Sequence, residues 1–532
     1  MKEKVIKGKR KGKLWKKVLL VLGVILLLLL LLGTAAFFYL RENMGMIQVK
    51  LGAPDDQTVV ATTAGEVRGY ISEGIYTYHG IPYAEAKERF VLAEEVTPWE
   101  GVRDAVSYGE TSPQAAILGG GANISENGSN ACQNLNLWSP GIGDGKKRPV
   151  MVWLHGGGMS SGSGNSAQCD GTNLAKYGDV VVASVNHRLN VYGFLDLSAY
   201  GEKYRYSANA GLDDLVKALT WLEENVEAFG GDPENITVFG QSGGGAKVLA
   251  LMSSPYAKGH FQKGIVQSGA TETLGASFTT AEVSAYLTGQ ILAELGITAD
   301  NIEDIQRVDN ASLQAAATKG LQVTAEHFEI PQALGNGYAM EWECVVEGDY
   351  LPTQPIALEA FTETGFDVPL LIGSNLHEWA VMGGQRHKVN EDVKEAFKKA
   401  YPNQSVRSAG NTDTLLRKPL LQIMRHKAVQ GGAPVFAYVF THPVWPLGSF
   451  HGAEIPYVFH NGGDAALQDT ISSAWVSFAR DGVPSADALP EWEAYTVEDG
   501  ATMILDTESY LAYHHDIELM KLLDPEYVLW VE

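Results

Sequence analysis

Cysteine is nearly missing from this chain, with only Cys132, Cys169 and Cys344 among 532 residues. They lie far apart and are odd in number, so neither a disulfide framework nor a zinc-ligand spacing is available, and at most one bridge can form. Basic charge is also scarce. There are 40 Lys and Arg against 63 Asp and Glu, and nine of the 40 crowd into residues 1–17, so everything beyond is more acidic than the net charge of −23 indicates. Such a surface repels phosphate backbones and argues against nucleic acid as a partner. Internal repeats are absent, as are low-complexity tracts after the first forty residues. What remains, 45% hydrophobic and 9% aromatic, is ordinary for a globular enzyme with a large core.

The N-terminus departs from that composition. After the basic residues 1–17 come 23 residues, 18–40, without a charge. That length spans a bilayer as a helix. A cleaved signal peptide is the rival reading, with Gly33-Thr-Ala35 as its cleavage site, but its apolar core usually runs only about 7 to 15 residues. The expectation is a signal anchor with residues 1–17 in the cytoplasm and the rest of the chain outside. Residues 41–56, containing "GAPDDQ", read as a polar linker, and residues 57–532 as one domain.

Within that domain short apolar runs alternate with amphipathic helical stretches, the pattern of a sheet covered on both faces. "RPVMVWLHGG" and "GDVVVASVNHR" read as buried strands, and "LDDLVKALTWLEENVEAFGG" as a helix ending on Gly230-Gly231. "ENITVFG" is the next strand and "GGAKVLALMSS" the helix after it. From about 271 to 367 helices are expected to dominate. One of them is capped by a Thr279 to Glu282 box and closed by Gly296. Strand signals return at "VPLLIGSN" and "PVFAYVFTH".

Two G-x-S-x-G matches compete for the role of nucleophile elbow, Ser160 and Ser242. Ser242 stands where a β-run stops and a helix begins, whereas Ser160 is followed by "SGSGNSAQ", a loop with no helix to open, so Ser242 is the candidate. A serine hydroxyl needs a base, an acid to orient that base, and donors for the oxyanion. His155-Gly156-Gly157-Gly158 follows a strand and can turn the amides of Gly157 and Gly158 toward the elbow, joined by Gly243. Glu378, just past "LLIGSN", is a candidate acid, although spacing alone does not distinguish it from a surface glutamate. Of thirteen histidines, His451 lies in a loop after "VFAYVF" at the same sheet edge, while His377 adjoins Glu378 too closely to reach both partners.

At this point "GIPYAEAKERF", "VMVWLHGGG", "NHRLNVYGFL", "FGQSGGG", "HGAEIPYVF" and "LPEWEAY" bring a family into view. The chain resembles the type B carboxylesterases, the cholinesterase-like branch of the α/β-hydrolases, over about residues 57–510. The resemblance implies a mostly parallel sheet with helices on both faces and a helical, lid-like insertion. It implies a triad of Ser242, Glu378 in its N-x-x-E context and His451 in its H-G-x-E context, and an oxyanion hole of Gly157, Gly158 and Gly243. It also implies a buried Arg188–Asp214 ion pair, and Ser268 close to the acid. The implied reaction hydrolyses a small-molecule carboxylic ester without cofactor or metal.

Departures matter too. Ser112-Pro-Gln stands where the family has a partner cysteine for the position of Cys132, so that disulfide is lost. The intervening loop has no aromatic residue to hold a quaternary ammonium, and Gln241 replaces the glutamate that precedes the cholinesterase serine, so choline esters are poorly supported. The missing cysteines, together with the lysine-rich anchor, look bacterial rather than animal. The rivals are hydrolysis of amides, carbamates or complex natural esters, and a non-catalytic surface protein of neuroligin type. The second has lost the nucleophile that is present here.

Overall fold

A computed structural model describes residues 49, 51–114, 128–272, 274–379, 386–444 and 447–527. The expected anchor at 18–40, its basic flank and most of the linker lie outside these residues. Among the described residues no helix is long and apolar enough to cross a membrane.

Eleven strands form the central sheet: β1 Tyr70–Ser72, β2 Ile75–Pro82, β3 Asn134–Ser139, β4 Arg148–Leu154, β5 Val181–Val185, β6 Gly231–Gln241, β7 Lys263–Gln267, β8 Leu370–Asn375, β9 Val435–Phe440, β10 Ala501–Leu505 and β11 Tyr510–Tyr513. Their spatial order is β11-β10-β9-β8-β7-β6-β4-β5-β3-β2-β1. From β10 through β5 every neighbour is parallel. The flanking pairs are antiparallel.

Seven helices concern the argument: α1 Thr172–Gly178, α2 Ala210–Asn225, α3 Gly243–Ser253, α4 Ala281–Leu295, α5 Asn310–His327, α6 Arg417–Gln430 and α7 Ala465–Asp481. Alternate residues of one strand enter different cores. Val150, Val152 and Leu154 of β4 join the layer of α2, α3 and α6, while Met151 and Trp153 join that of α1 and α7. A strand buried on both faces needs no polar alternation, which is why the central strands read as continuous apolar runs.

The segment between β7 and β8 differs in part from expectation. Helices α4 and α5 form, but regular helix stops at His327. Beyond it, Pro331, Gly335, Gly337, Gly348, Pro352 and Pro355 interrupt the chain, and turns replace helix. Cys344–Val346 instead pairs in parallel with Phe278–Thr280. That pairing also moves the cap of α4. The ladder runs through Thr279 and Thr280, opposite Val345 and Val346, so the helix begins only at Ala281; Thr280 caps it by accepting from the Val283 amide, and Gly296 closes it in the left-handed conformation.

Candidate active site

Parallel strands send their carboxyl ends to one edge, where ligands of open α/β sheets bind. His155 follows β4, Ser242 follows β6, Ser268 follows β7, Glu378 comes three residues after β8, and His451 lies in the connection after β9. Residues far apart in sequence are thus neighbours in space.

Ser242 is half-buried and adopts φ 58 and ψ −127, a strained conformation between β6 and α3. Its amide donates to the Gln267 carbonyl at 2.8 Å and its carbonyl accepts from the Ala246 amide at 3.1 Å, so the turn is fixed at both ends. The turn exists only because glycines follow. A methyl on Gly244 would enter the carbonyl oxygen of Leu154, and one on Gly243 would enter Gly158. These approaches bring the start of α3 against the His155–Gly158 loop. Gly157 and Gly158 have φ of 92° and 61°. Their amides donate to no acceptor among the described residues, and Gly243 opens the helix, where an N–H has no intrahelical partner. Ser160 lies in a turn on this loop, its amide bonded to the Gly157 carbonyl at 3.2 Å, and no helix follows it directly.

On the other side His451 Nδ1 bonds Glu378 Oε2 at 2.6 Å, and its backbone amide donates to the Glu378 carbonyl at 2.7 Å. The second carboxylate oxygen of Glu378 accepts from Ser268 Oγ at 2.6 Å and from the Asn375 amide at 2.7 Å. Trp379 stacks on the imidazole with ring centroids 4.6 Å apart. Burial pulls His451 down, but the carboxylates of Glu378, Glu454 and Asp413 outweigh it and hold the imidazole above its ordinary value of 6.5.

His451 Nε2 meets Gln241, the residue before Ser242, with the Gln241 amide nitrogen at 3.1 Å. With Nδ1–H committed to Glu378, Nε2 is the acceptor and the amide donates. The imidazole is therefore at the elbow in the tautomer a general base requires, while its acceptor atom is occupied by Gln241 and the direct Ser242 hydrogen bond is not formed. Hydrogen bonds of this kind often tighten only when substrate is bound.

Several participants escaped the sequence reading. Glu454, three residues past His451, is buried and accepts from Asn375 Nδ2 at 2.6 Å and Gln267 Nε2 at 3.0 Å. Asp413 is buried and caps the start of α6 through the amides of Leu416 and Arg417; burial, then the charge on Glu378, pushes its carboxyl up. The H-G-x-E spacing was a signal for Glu454, whereas Asp413 left none. His377 turns away from this cluster and bonds Ser449.

The structural positions implied by the resemblance are occupied as follows. Arg188 and Asp214, each fully buried, pair through Nε at 2.9 Å and Nη2 at 2.7 Å. All three cysteines are free and buried. Beside Cys132, Ser112 accepts from the Leu189 amide, and Gln114 exchanges two hydrogen bonds with Gly162, so polar contacts tie down this stretch. Glu341 of the segment between β7 and β8 lies against Gly158 and Gly275 and so lines the His155–Gly158 loop. Among the described residues no cluster of three or more His, Cys, Asp or Glu is arranged to hold a metal ion.

Comparison with known proteins adds independent findings. A family model described as the carboxylesterase family matches residues 56–410 and 386–520. Para-nitrobenzyl esterase of Bacillus subtilis is 34% identical over 504 residues, spanning 88% of this chain and 98% of the relative. Phenmedipham hydrolase of Pseudarthrobacter oxydans is 30% identical over 496 residues, covering 85% and 95% respectively. Among solved structures, an esterase from Clostridium hathewayi that can hydrolyse aliphatic aromatic polyesters superposes with a TM-score of 0.80 at 33% identity, covering 89% of this chain and 99% of its own.

Proposed function

The chain belongs to the carboxylesterase family and is a carboxylic ester hydrolase, and from that premise we propose that it works through Ser242, His451 and Glu378 with an oxyanion hole of Gly157, Gly158 and Gly243. In this reading Gln241 yields its place when an ester enters. His451 Nε2 then takes the Ser242 hydroxyl proton, and Oγ bonds the ester carbonyl carbon. The carbonyl oxygen becomes an oxyanion held by the three amides. The imidazolium returns its proton to the departing alkoxide, leaving an acyl-enzyme and an alcohol. Water repeats the sequence and releases the acid. Glu378 accepts Nδ1–H throughout.

The observation that carries this reading is His451 bound at one nitrogen to Glu378 and at the other to the residue preceding Ser242. Ser242→Ala should abolish turnover of a p-nitrophenyl ester, by about 10⁴-fold or more, while leaving thermal unfolding unchanged. A variant within tenfold of the wild type would end the assignment. The segment between β7 and β8 supports a substrate-covering role because it brings Glu341 to the oxyanion loop. The relatives act, by their names, on a para-nitrobenzyl ester, on phenmedipham and on polyesters. A panel of these three measures which substrate class the pocket prefers.

Residues 18–40, uncharged and preceded by nine basic residues, support a single-pass membrane anchor with the catalytic domain outside the cell. Full-length protein should stay in the membrane fraction after alkaline carbonate washing. Recovery in the medium, cleaved near Ala35, would favour the secreted alternative.

A further inference from the structure

Helix α3 leaves the elbow carrying a lysine that takes no part in the proton transfers proposed above. Lys247 is 1% exposed, and its Nζ donates to the His155 carbonyl at 2.9 Å. Lysine is almost never fully buried without a partner of opposite charge, and Lys247 forms no ion pair among the described residues. The groups facing it are the imidazoles of His155 and His187, stacked with centroids 5.1 Å apart, and the Cys344 thiol. Burial holds both imidazoles neutral and pushes the thiol up to about 12. Arg188, beyond His187, is neutralised by Asp214. None of these supplies a counter-charge.

What Lys247 does touch is the oxyanion loop. His155 opens that loop, and its carbonyl is the acceptor just before the amides of Gly157 and Gly158. Gly243, one helical turn before Lys247, packs directly on Gly158. The same face of α3 therefore meets the loop twice, through a bare glycine and through an ammonium.

We propose that Lys247 is a positioning residue for the oxyanion hole: it ties the His155 carbonyl to α3, keeps the Gly157 and Gly158 amides aimed over Ser242, and when protonated sets a buried positive charge beneath the developing oxyanion. This rests on the triad reading above. Donors to the oxyanion act in the transition state, so a loosened loop lowers kcat and leaves KM nearly unchanged. Burial brings the amine down from 10.5 to about 7. A neutral amine still donates to the carbonyl, so the tie survives on both sides of that titration and only the charge is lost as pH rises through it.

Stability responds in the opposite sense. Between about 7 and 10.5 the unfolded chain binds the additional proton, so this group makes stability rise with pH and is a net burden at neutral pH and below. Lys247→Met keeps the length and removes the polar head. It should leave the thermal midpoint at pH 7 equal or higher while lowering kcat per titrated active site about 10- to 100-fold, with KM within about threefold. Wild-type kcat/KM should fall as the amine loses its proton near neutrality, and that fall should vanish in the variant. If the methionine variant does not fold, Lys247→Gln, uncharged and shorter, is read by the same measurements.

A variant with wild-type kcat and an unchanged pH profile would overturn the proposal, as would a lowered thermal midpoint with normal kcat per titrated site. Ser242→Ala separates the two readings. If that variant still turns over, the triad falls and Lys247 with it. If it is inactive while Lys247→Met behaves as wild type, the role of Lys247 alone is refuted.

Discussion

On one side of Ser242 the geometry rests on side chains, and on the other it rests on their absence. The His451 side is a buried polar lattice in which Glu378, Ser268, Asn375, Glu454 and Gln267 hydrogen-bond one another across three strand ends. The oxyanion side is main chain, held in place because Gly243 and Gly244 allow α3 to lie against the loop after β4. On the proposed mechanism the difference is one of function. A base must keep one tautomer and tolerate a charge that comes and goes, which calls for acceptors of adjustable strength. An oxyanion needs donors already in place before charge develops, and peptide amides supply these without side-chain entropy.

The comparison breaks first where a single proton decides it. Glu378→Gln preserves shape but offers Nδ1 an amide donor, which drives the imidazole proton to Nε2 and removes the base. A kcat loss of about 10⁴-fold with an unchanged thermal midpoint is expected, and activity within tenfold of the wild type would show that Glu378 does not orient His451. Gly244→Ala attacks the other side. Its methyl enters the Leu154 carbonyl, so α3 must move off β4 and carry the Gly243 amide with it. The expected loss is about 10²- to 10³-fold in kcat per titrated site, accompanied by destabilisation, since the helix also covers the core. An unaltered rate would mean that the loop and helix are not in the contact described.

The same division governs what can be read from sequence. The glycine side is legible because its requirement is local: a β-run, a serine among glycines, and a helix pattern identify the turn at Ser242, and His155-Gly156-Gly157-Gly158 follows its strand directly. The lattice is not legible in this way. Asp413 and Gln267 look like any polar residues until the sheet assembles and buries them beside Glu378 and Glu454, and nothing in their immediate neighbours marks that burial. Glu378 and His451 emerge as candidates through chain order and family resemblance, not through local pattern. Lys247 shows the limit most clearly. It is the lone charge on an otherwise small and apolar helix, and nothing beside it in the chain marks that it is buried against His155. Strands and helices around the site follow from periodicity, whereas the end of the helical segment at His327 follows from prolines and glycines beyond it that periodicity underweights.

Gln241 joins the two sides, and it yields the smallest effect. Its amide donates to His451 Nε2 and so favours the neutral imidazole, while the carboxylates behind the ring favour the charged one. Because the folded value lies above 6.5, the proposed base is lost as pH falls through a point higher than that of a free imidazole, and activity should show an acid limb there. Gln241→Glu exchanges a donor for an anion at the same place. The imidazolium is then stabilised at both nitrogens, and the acid limb should move about one unit toward higher pH. At alkaline pH, where the imidazole is neutral in either protein, kcat should agree within about threefold, since no oxyanion donor has changed. A limb that stays in place would place the Gln241 side chain away from Nε2 in the working enzyme. A limb that shifts while the alkaline rate collapses would instead make residue 241 part of the oxyanion side, joining the two halves through one side chain.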